Sequence, residues 1–182
     1  MNYRQTVREI ALDQYGYVTT RDAADAGVPA VELRKLTARG ALTNVAYGLY
    51  RLADARPTEY DQFAEAMLRV GDGAYLRGDA VLALHQLVLV NPRRIRVGAP
   101  RRVRAALPEF IDLCEEVVPK EDLTVYEGLR ATTVARALLD CRGQVMTERL
   151  LNAAKQAKAE GLLTGREYAR VRRALTHETR VA

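Results

Sequence analysis

Three short segments, each followed by a glycine, make up the first forty residues, and this feature restricts the fold more than any other. Each segment carries apolar residues at helical spacing, and the glycines that follow them are Gly16, Gly27 and Gly40. Glycine commonly ends a helix because it adopts a left-handed conformation with little strain. The sequence therefore predicts three short helices, over residues 3–15, 21–26 and 29–39.

The second and third helices are joined by a glycine-containing turn, which makes them a helix-turn-helix candidate. Thr19 is the predicted cap of the second helix, and Asp22 completes a variant of the capping box. From Leu42 to Leu52, β-favouring residues surround a turn at residues 46–48, the usual signal of a hairpin. Three helices followed by a hairpin predict a winged helix-turn-helix, a module that commonly reads DNA.

The complete chain is predicted to be an α+β protein with two domains. The winged helix-turn-helix occupies residues 1–56, and a mixed α/β C-terminal domain with a helical end occupies residues 57–182. In that second domain we expect helices over residues 59–70, 78–87 and 164–175. A further helix is expected to begin at Thr132 or Thr133, and another to run from a cap at Thr147 to before Gly161. The expected strands are 87–90, 95–97, 117–118 and 123–126, and residues 101–110 are ambiguous.

The third helix has two chemically different faces. At 100° per residue, Pro29, Leu33 and Leu36 fall on a core face. Val31, Arg34, Lys35 and Ala38 lie opposite, a composition that suits a major groove, although a solvated helix face explains it too. The candidate DNA-binding residues are Thr20, Arg21, Ala30, Val31, Arg34, Lys35, Thr37, Arg39, Asn44, Tyr47 and Arg51. The backbone N–H groups that open the helix at Thr19–Thr20 are a further candidate for holding a phosphate.

The charge distribution adds a second basic candidate. The net charge is +5, and residues 1–56 hold only eight basic against six acidic residues, which is weak for an autonomous DNA-binding domain. Help is expected from a second copy on DNA or from an arginine run without acids: Arg93, Arg94, Arg96, Arg101, Arg102 and Arg104. The alternative is that these arginines are solvated and balanced by the acids of residues 109–127.

The sequence gives little indication of an enzyme, a membrane span or a bound cofactor. No apolar stretch approaches the length of about 20 residues that a membrane span needs. No phosphate loop or zinc-ligand spacing is present, and the two cysteines, Cys114 and Cys141, are expected to be buried and reduced. We expect a cytoplasmic protein with neither enzymatic activity nor cofactor. A further alternative is a metal-dependent nuclease using Asp112, Glu115 and Glu116.

Two stretches resemble the AbiEi-type antitoxins of bacterial toxin–antitoxin systems. The first combines residues 15–24, Gly27-Val28-Pro29, Leu33-Arg34-Lys35-Leu36, Arg39-Gly40 and residues 47–52. The second, residues 132–140, is similar to the hydroxyl-x-x-Arg-x-Leu-Leu-Asp helix of that family.

The resemblance implies a winged helix that binds repeats in its own promoter as a repressor. It also implies a C-terminal domain that neutralises a nucleotidyltransferase-like toxin. Inverted repeats would favour two copies on DNA. The alternative is a winged-helix regulator whose C-terminal domain senses a ligand or mediates dimerisation. Within the second motif, Arg136 and Asp140 are four residues apart on one helix and are expected to pair structurally.

Overall fold

The computed structural model describes residues 2–87 and 92–178. Its contacts divide the chain into two compact units, Met1–Gly71 and Asp72–Ala182. This division lies one helix later than the expected boundary between residues 56 and 57, because the helix over Asp61–Val70 packs with the first unit.

The first unit has the element order of a winged helix-turn-helix. Its elements are α1 (Tyr3–Leu12), β1 (Tyr17–Thr19), α2 (Thr20–Asp25), α3 (Ala30–Ala38), β2 (Leu42–Ala46), β3 (Leu49–Leu52) and α4 (Asp61–Val70). The strands form an antiparallel sheet in the order β1-β3-β2. The three helices and the hairpin are therefore confirmed, whereas β1 was not expected from the sequence.

Apolar residues from α1, α2, α3 and all three strands form the core of the winged helix-turn-helix. The buried cluster contains Val7, Ala11, Val18, Ala23, Val28, Leu33, Leu36, Leu42 and Leu52. Removing such side chains from water is the main favourable term in folding, at about 1.5–3 kcal/mol for a fully buried Val or Leu. The helix-turn-helix and the wing are thus held together by one core.

The second unit is built on a five-stranded sheet, with one helix between its first two strands and three helices after the last strand. Its strands are β4 (Tyr75–Leu76), β5 (Ile95–Ala99), β6 (Ile111–Glu115), β7 (Leu123–Tyr126) and β8 (Leu129–Thr132), in the order β6-β5-β4-β8-β7. The pairs β4–β8 and β5–β6 are parallel, and β4–β5 and β7–β8 are antiparallel. The helices are α5 (Asp79–Leu84), α6 (Val134–Asp140), α7 (Thr147–Ala159) and α8 (Gly165–Glu178).

Several expectations for the second unit were wrong in detail. Residues 117–118 are not a strand; the strand is β6, whose alternation of Ile111 and Leu113 with polar residues is the true signal. Thr147 is the first helical residue of α7 rather than its cap, and Met146 in the cap position offers no side-chain bond. Strands β4 and β8 were also missed. Most of the strand expected over residues 87–90 lies outside the described residues.

Candidate nucleic-acid interface

The two faces of α3 are chemically distinct. Leu33 and Leu36 are buried, whereas Arg34, Lys35 and Ala38 are exposed and Val31 keeps 44% of its surface accessible. This confirms the predicted outward face. Pro29, however, is exposed instead of lying in the core, because it is the residue before the helix and its side chain falls outside the buried stripe.

The polar groups of α3 differ in how strongly they are engaged. Lys35 Nζ lies 2.7 Å from Glu32 Oε1 in an ion pair that is partly open to solvent. Such a pair contributes only about 0–1 kcal/mol, so a phosphate can compete for the lysine. The Thr37 hydroxyl donates to the Leu33 carbonyl at 2.9 Å, so this donor serves the helix itself. Ala30 and Arg39, at the two ends of the helix, are exposed.

The wing tip is an exposed aromatic side chain on a fixed turn. Tyr47 is fully exposed, at 106% of its reference surface. Next to it, Gly48 adopts φ +69°, a left-handed conformation that glycine accepts without strain. The Gly48 carbonyl accepts from the Thr20 backbone N–H at 2.8 Å and from the Thr20 hydroxyl at 3.4 Å. The exposed Asn44 side chain donates to the Ala46 carbonyl at 3.1 Å.

The start of α2 is occupied by protein groups. The capping box is confirmed: the Asp22 backbone N–H donates to Thr19 Oγ1 at 3.0 Å, and the Thr19 backbone N–H donates to Asp22 Oδ2 at 2.9 Å. The Thr20 backbone N–H donates to the Gly48 carbonyl of the wing. The phosphate expected at this terminus therefore has no support from the geometry, and Arg21, which is exposed, faces Asp25 at 3.9 Å.

Arg51 is held inside the first unit. Its guanidinium pairs with Asp61 of α4 and lies 5.4 Å from the centre of the Tyr17 ring, and its side chain is 24% exposed. Both contacts compete with a phosphate for the same group. Arg51 thus ties β3 to α4.

Helix α4 carries residues that sequence reasoning missed. Arg69 Nη2 donates to the Val45 carbonyl of β2 at 3.1 Å, and its Nε donates to Glu65 Oε1 at 2.8 Å. Glu65 Oε2 accepts from the Tyr17 hydroxyl at 3.1 Å, and burial together with this carboxylate raises the pKa of Tyr17 to about 12. The spacing of Asp61, Glu65 and Arg69 at intervals of four was the available signal, since it places them on one helix face.

The arginines of residues 93–104 lie in the second unit and differ in whether they are paired or exposed. Arg96 is engaged by Asp79 at 3.4 Å and Asp112 at 3.3 Å, and it also pairs with Gln144. The remaining members are exposed: Arg93, Arg94, Arg101, Arg102 and Arg104. Of the six arginines of this run, these five are exposed to solvent, whereas Arg96 is held by Asp79 of α5 and Asp112 of β6.

An ionic network surrounds the second motif. Arg136 Nε donates to Asp140 Oδ1 at 2.9 Å, which confirms the predicted pair. Arg136 also reaches Glu116 and Asp122, and Arg77 bridges Glu116 and Asp140. The Arg77 hydrogen bond holds the pKa of Glu116 below its ordinary value. Two guanidinium groups thus hold three carboxylates, and the network ties α6 to β4 and to the segments that follow β6.

The other reactive side chains are in packed settings. His85 lies with its ring centre 4.1 Å from that of Tyr126, and burial lowers its pKa. Cys141 is buried, and burial raises its pKa to about 12, whereas Cys114 is half-exposed. Among the described residues, no three metal-ligating side chains cluster. Within the same part of the chain, no helix combines the length and apolarity that a membrane span requires.

The element order and sheet of the first unit define it as a winged helix-turn-helix, with the polar face of α3 exposed. Residues 5–53 match the model of the AbiEi_4 family, described as a transcriptional regulator and AbiEi antitoxin. The match confirms the resemblance over the winged helix-turn-helix and supports an antitoxin or regulator role for the chain.

Comparison with whole proteins adds less. The chain is similar to the solved RV2827C protein from Mycobacterium tuberculosis, with 15% identity, coverage of 96% of this chain and 82% of that one, and a TM-score of 0.46. No curated protein matches the sequence.

Proposed function

We propose that this protein is a DNA-binding antitoxin that represses its own promoter. The observation that carries the proposal is the outward face of α3, beside a wing with an exposed tip, in the segment that matches the antitoxin regulator family. In this proposal the winged helix-turn-helix reads double-stranded DNA in the cytoplasm, and the C-terminal residues neutralise a nucleotidyltransferase-like toxin. Neither role involves catalysis or a cofactor.

The α3 face supplies the base contacts in this proposal. Small side chains at Ala30 and Ala38 allow the helix backbone to approach the major groove closely. Val31 packs against thymine methyl groups, and Arg34 donates two hydrogen bonds to guanine O6 and N7, the commonest specific contact. Lys35 exchanges Glu32 for a phosphate, which positions the helix without reading sequence.

Phosphate contacts come from the exposed basic and polar groups around this helix. Arg39 lies at the C-terminal end of α3 and Arg21 on the exposed side of α2, and Asn44 and Tyr47 belong to the wing, which Thr20 fixes through Gly48. The small positive charge of the winged module favours two copies on inverted repeats. The exposed arginines of the second unit, Arg93, Arg94, Arg101, Arg102 and Arg104, add a sequence-independent contribution.

DNA binding is tested with the region upstream of the coding sequence, by measuring affinity over a range of salt concentrations. Arg34→Ala is expected to cost about 1–3 kcal/mol and to relax specificity, because a bidentate base contact is lost. Lys35→Ala is expected to weaken all sequences equally and to reduce the salt slope by about 1. Arg56→Ala, an exposed arginine outside the proposed contacts, controls for the loss of charge. Wild-type affinity in both α3 variants would contradict this placement of the groove face.

Toxin neutralisation is tested by expressing the adjacent reading frame with and without this protein and measuring growth. Relief of toxicity by the protein supports the antitoxin proposal. A harmless neighbour, or toxicity that the protein does not relieve, would instead favour a winged-helix regulator with a ligand-sensing or dimerising C-terminal domain.

A further inference from the structure

Helix α4 is bound to every strand of the wing sheet. Glu65 accepts from Tyr17 of β1, Asp61 pairs with Arg51 of β3, and Arg69 donates to the Val45 carbonyl of β2. Because the sheet order is β1-β3-β2, these contacts run from one edge of the sheet to the other. The wing is thus fastened by a helix that follows it in the chain.

Val45 lies where the ladder between β2 and β3 is irregular. Asn44 pairs with Tyr50 and Ala46 pairs with Leu49, so Val45 is the extra residue of a β-bulge. A bulge leaves one residue outside the ladder, bends the strand and re-aims the side chains that follow. The carbonyl of such a residue needs another donor, and Arg69 supplies it.

Arg69 is well fixed for this task. Its side chain is only 19% exposed, and Glu65 holds its Nε while Nη2 reaches Val45. Hydrogen bonds from a charged donor are about twice as strong as neutral ones. Two residues beyond Val45 is Tyr47, and one further is Gly48, whose carbonyl is held by Thr20. The wing tip is therefore held on both sides, by α4 before it and by α2 after it.

We propose that Arg69 is a positioning residue for DNA recognition, which sets the place of Tyr47 by holding the Val45 carbonyl. The proposal rests on the DNA-binding function proposed above. Arg69 touches no DNA in this scheme; its effect reaches DNA only through the wing. Loss of Arg69 leaves Tyr47 chemically intact but no longer held in one place. Part of the binding free energy is then lost to the entropy cost of ordering the wing tip.

The test is a double-mutant cycle on the full chain with upstream DNA. Arg69→Met keeps most of the aliphatic stem and removes both donors, and we expect it to weaken binding about tenfold, or about 1.4 kcal/mol. In a Tyr47→Ala background the same change is expected to have almost no further effect. The salt slope stays at the wild-type value, because the affected contact is that of the uncharged Tyr47 and no cation is withdrawn from a phosphate. Arg56→Ala serves as the matched control for charge, and Glu65→Gln is the second variant if Arg69→Met does not fold.

A full tenfold loss in both backgrounds would overturn the proposal, because Arg69 would then act independently of the wing tip. An unchanged affinity in Arg69→Met, or in Tyr47→Ala alone, would overturn it as well.

Amide hydrogen exchange in the free protein separates this inference from the proposed function. Arg69→Met is expected to raise exchange at residues 43–49 about tenfold and to leave α3 unchanged. Unchanged exchange in the wing overturns the positioning role, whatever DNA binding shows. If the wild type binds no DNA, the proposed function fails, and with it the role of Arg69 in recognition. The exchange data then still report whether Arg69 holds the wing.

Discussion

Tyr75 and Gly98 are directly paired on strands β4 and β5, and the buried tyrosine ring lies where a side chain at residue 98 would begin. The ring is also fixed by its hydroxyl, which donates to the Glu116 carbonyl at 2.8 Å. An aromatic ring held at both ends has no low-energy rotamer to which it can retreat. At the scale of single residues, packing of the buried Tyr75 ring therefore requires glycine at position 98.

Gly98→Ala is expected to lower the free energy of unfolding by about 1–3 kcal/mol, because the new methyl group overlaps the Tyr75 ring. The matched control is Gly165→Ala at the start of α8, where nothing lies within 4 Å of the added carbon. There stability should stay the same or rise by up to about 1 kcal/mol, since alanine favours helix. Urea unfolding measures both variants. Equal effects at the two positions would contradict the assigned clash.

Glu116 provides a prediction about pH. Its pKa is lower in the folded protein than in the unfolded chain, so the folded state binds fewer protons. Its contribution to the free energy of unfolding is therefore complete above about pH 4.5 and is lost as the pH falls through the folded pKa. The stability difference between wild type and Glu116→Gln should therefore be largest near pH 6 and shrink towards pH 3. Urea midpoints across this range measure it, with the exposed Glu109→Gln as control. A difference that is constant with pH would show that the ion pairs contribute nothing.

At the scale of elements, the cap of α2 was readable because it is local. Thr19 and Asp22 are three residues apart, and their reciprocal bonds close over a single turn. The same holds for the cap of α6, where Thr133 Oγ1 accepts from the Arg136 N–H at 3.3 Å. Caps of this kind fix the first residue of α2 and of α6, whereas α3 begins after Pro29 without a side-chain cap.

Thr19→Ala is expected to destabilise the protein by about 1 kcal/mol, because the orphan N–H of Asp22 loses its acceptor. Thr19→Ser keeps the hydroxyl and should restore most of that loss. Thermal unfolding of the two variants beside the wild type checks this. If serine is no better than alanine, the methyl group rather than the hydroxyl is what matters at this position.

How much of the fold was predictable depends on the range of the interactions involved. Helical periodicity over nine residues was enough to identify the outward face of α3, and turn residues identified the wing. The link from Arg69 to the Val45 carbonyl spans 24 positions, and no local pattern reports it. Strands β1 and β4, with three and two residues, were missed because their pairing partners and not their own sequences define them.

At the scale of the whole molecule, the proposed base-reading face of α3 and the proposed toxin-neutralising role fall in different compact units. A variant with both Arg34→Ala and Lys35→Ala should therefore lose repression of a promoter reporter yet still relieve toxicity when expressed from an unrelated promoter. Growth and reporter output, measured in one strain, test this. Loss of protection in the double variant, at normal protein level, would show that DNA binding and neutralisation are not separable.

The contacts of α4 also bear on how such proteins can exchange parts. A recombination junction between residues 56 and 57 would join a foreign α4 to this wing and discard Asp61, Glu65 and Arg69 together. A junction after Gly71 would keep these three residues of α4 together with the strands that they contact. Chimaeras that pair this winged module with another effector domain should therefore be joined after Gly71, and natural domain shuffling would leave viable products at that same point.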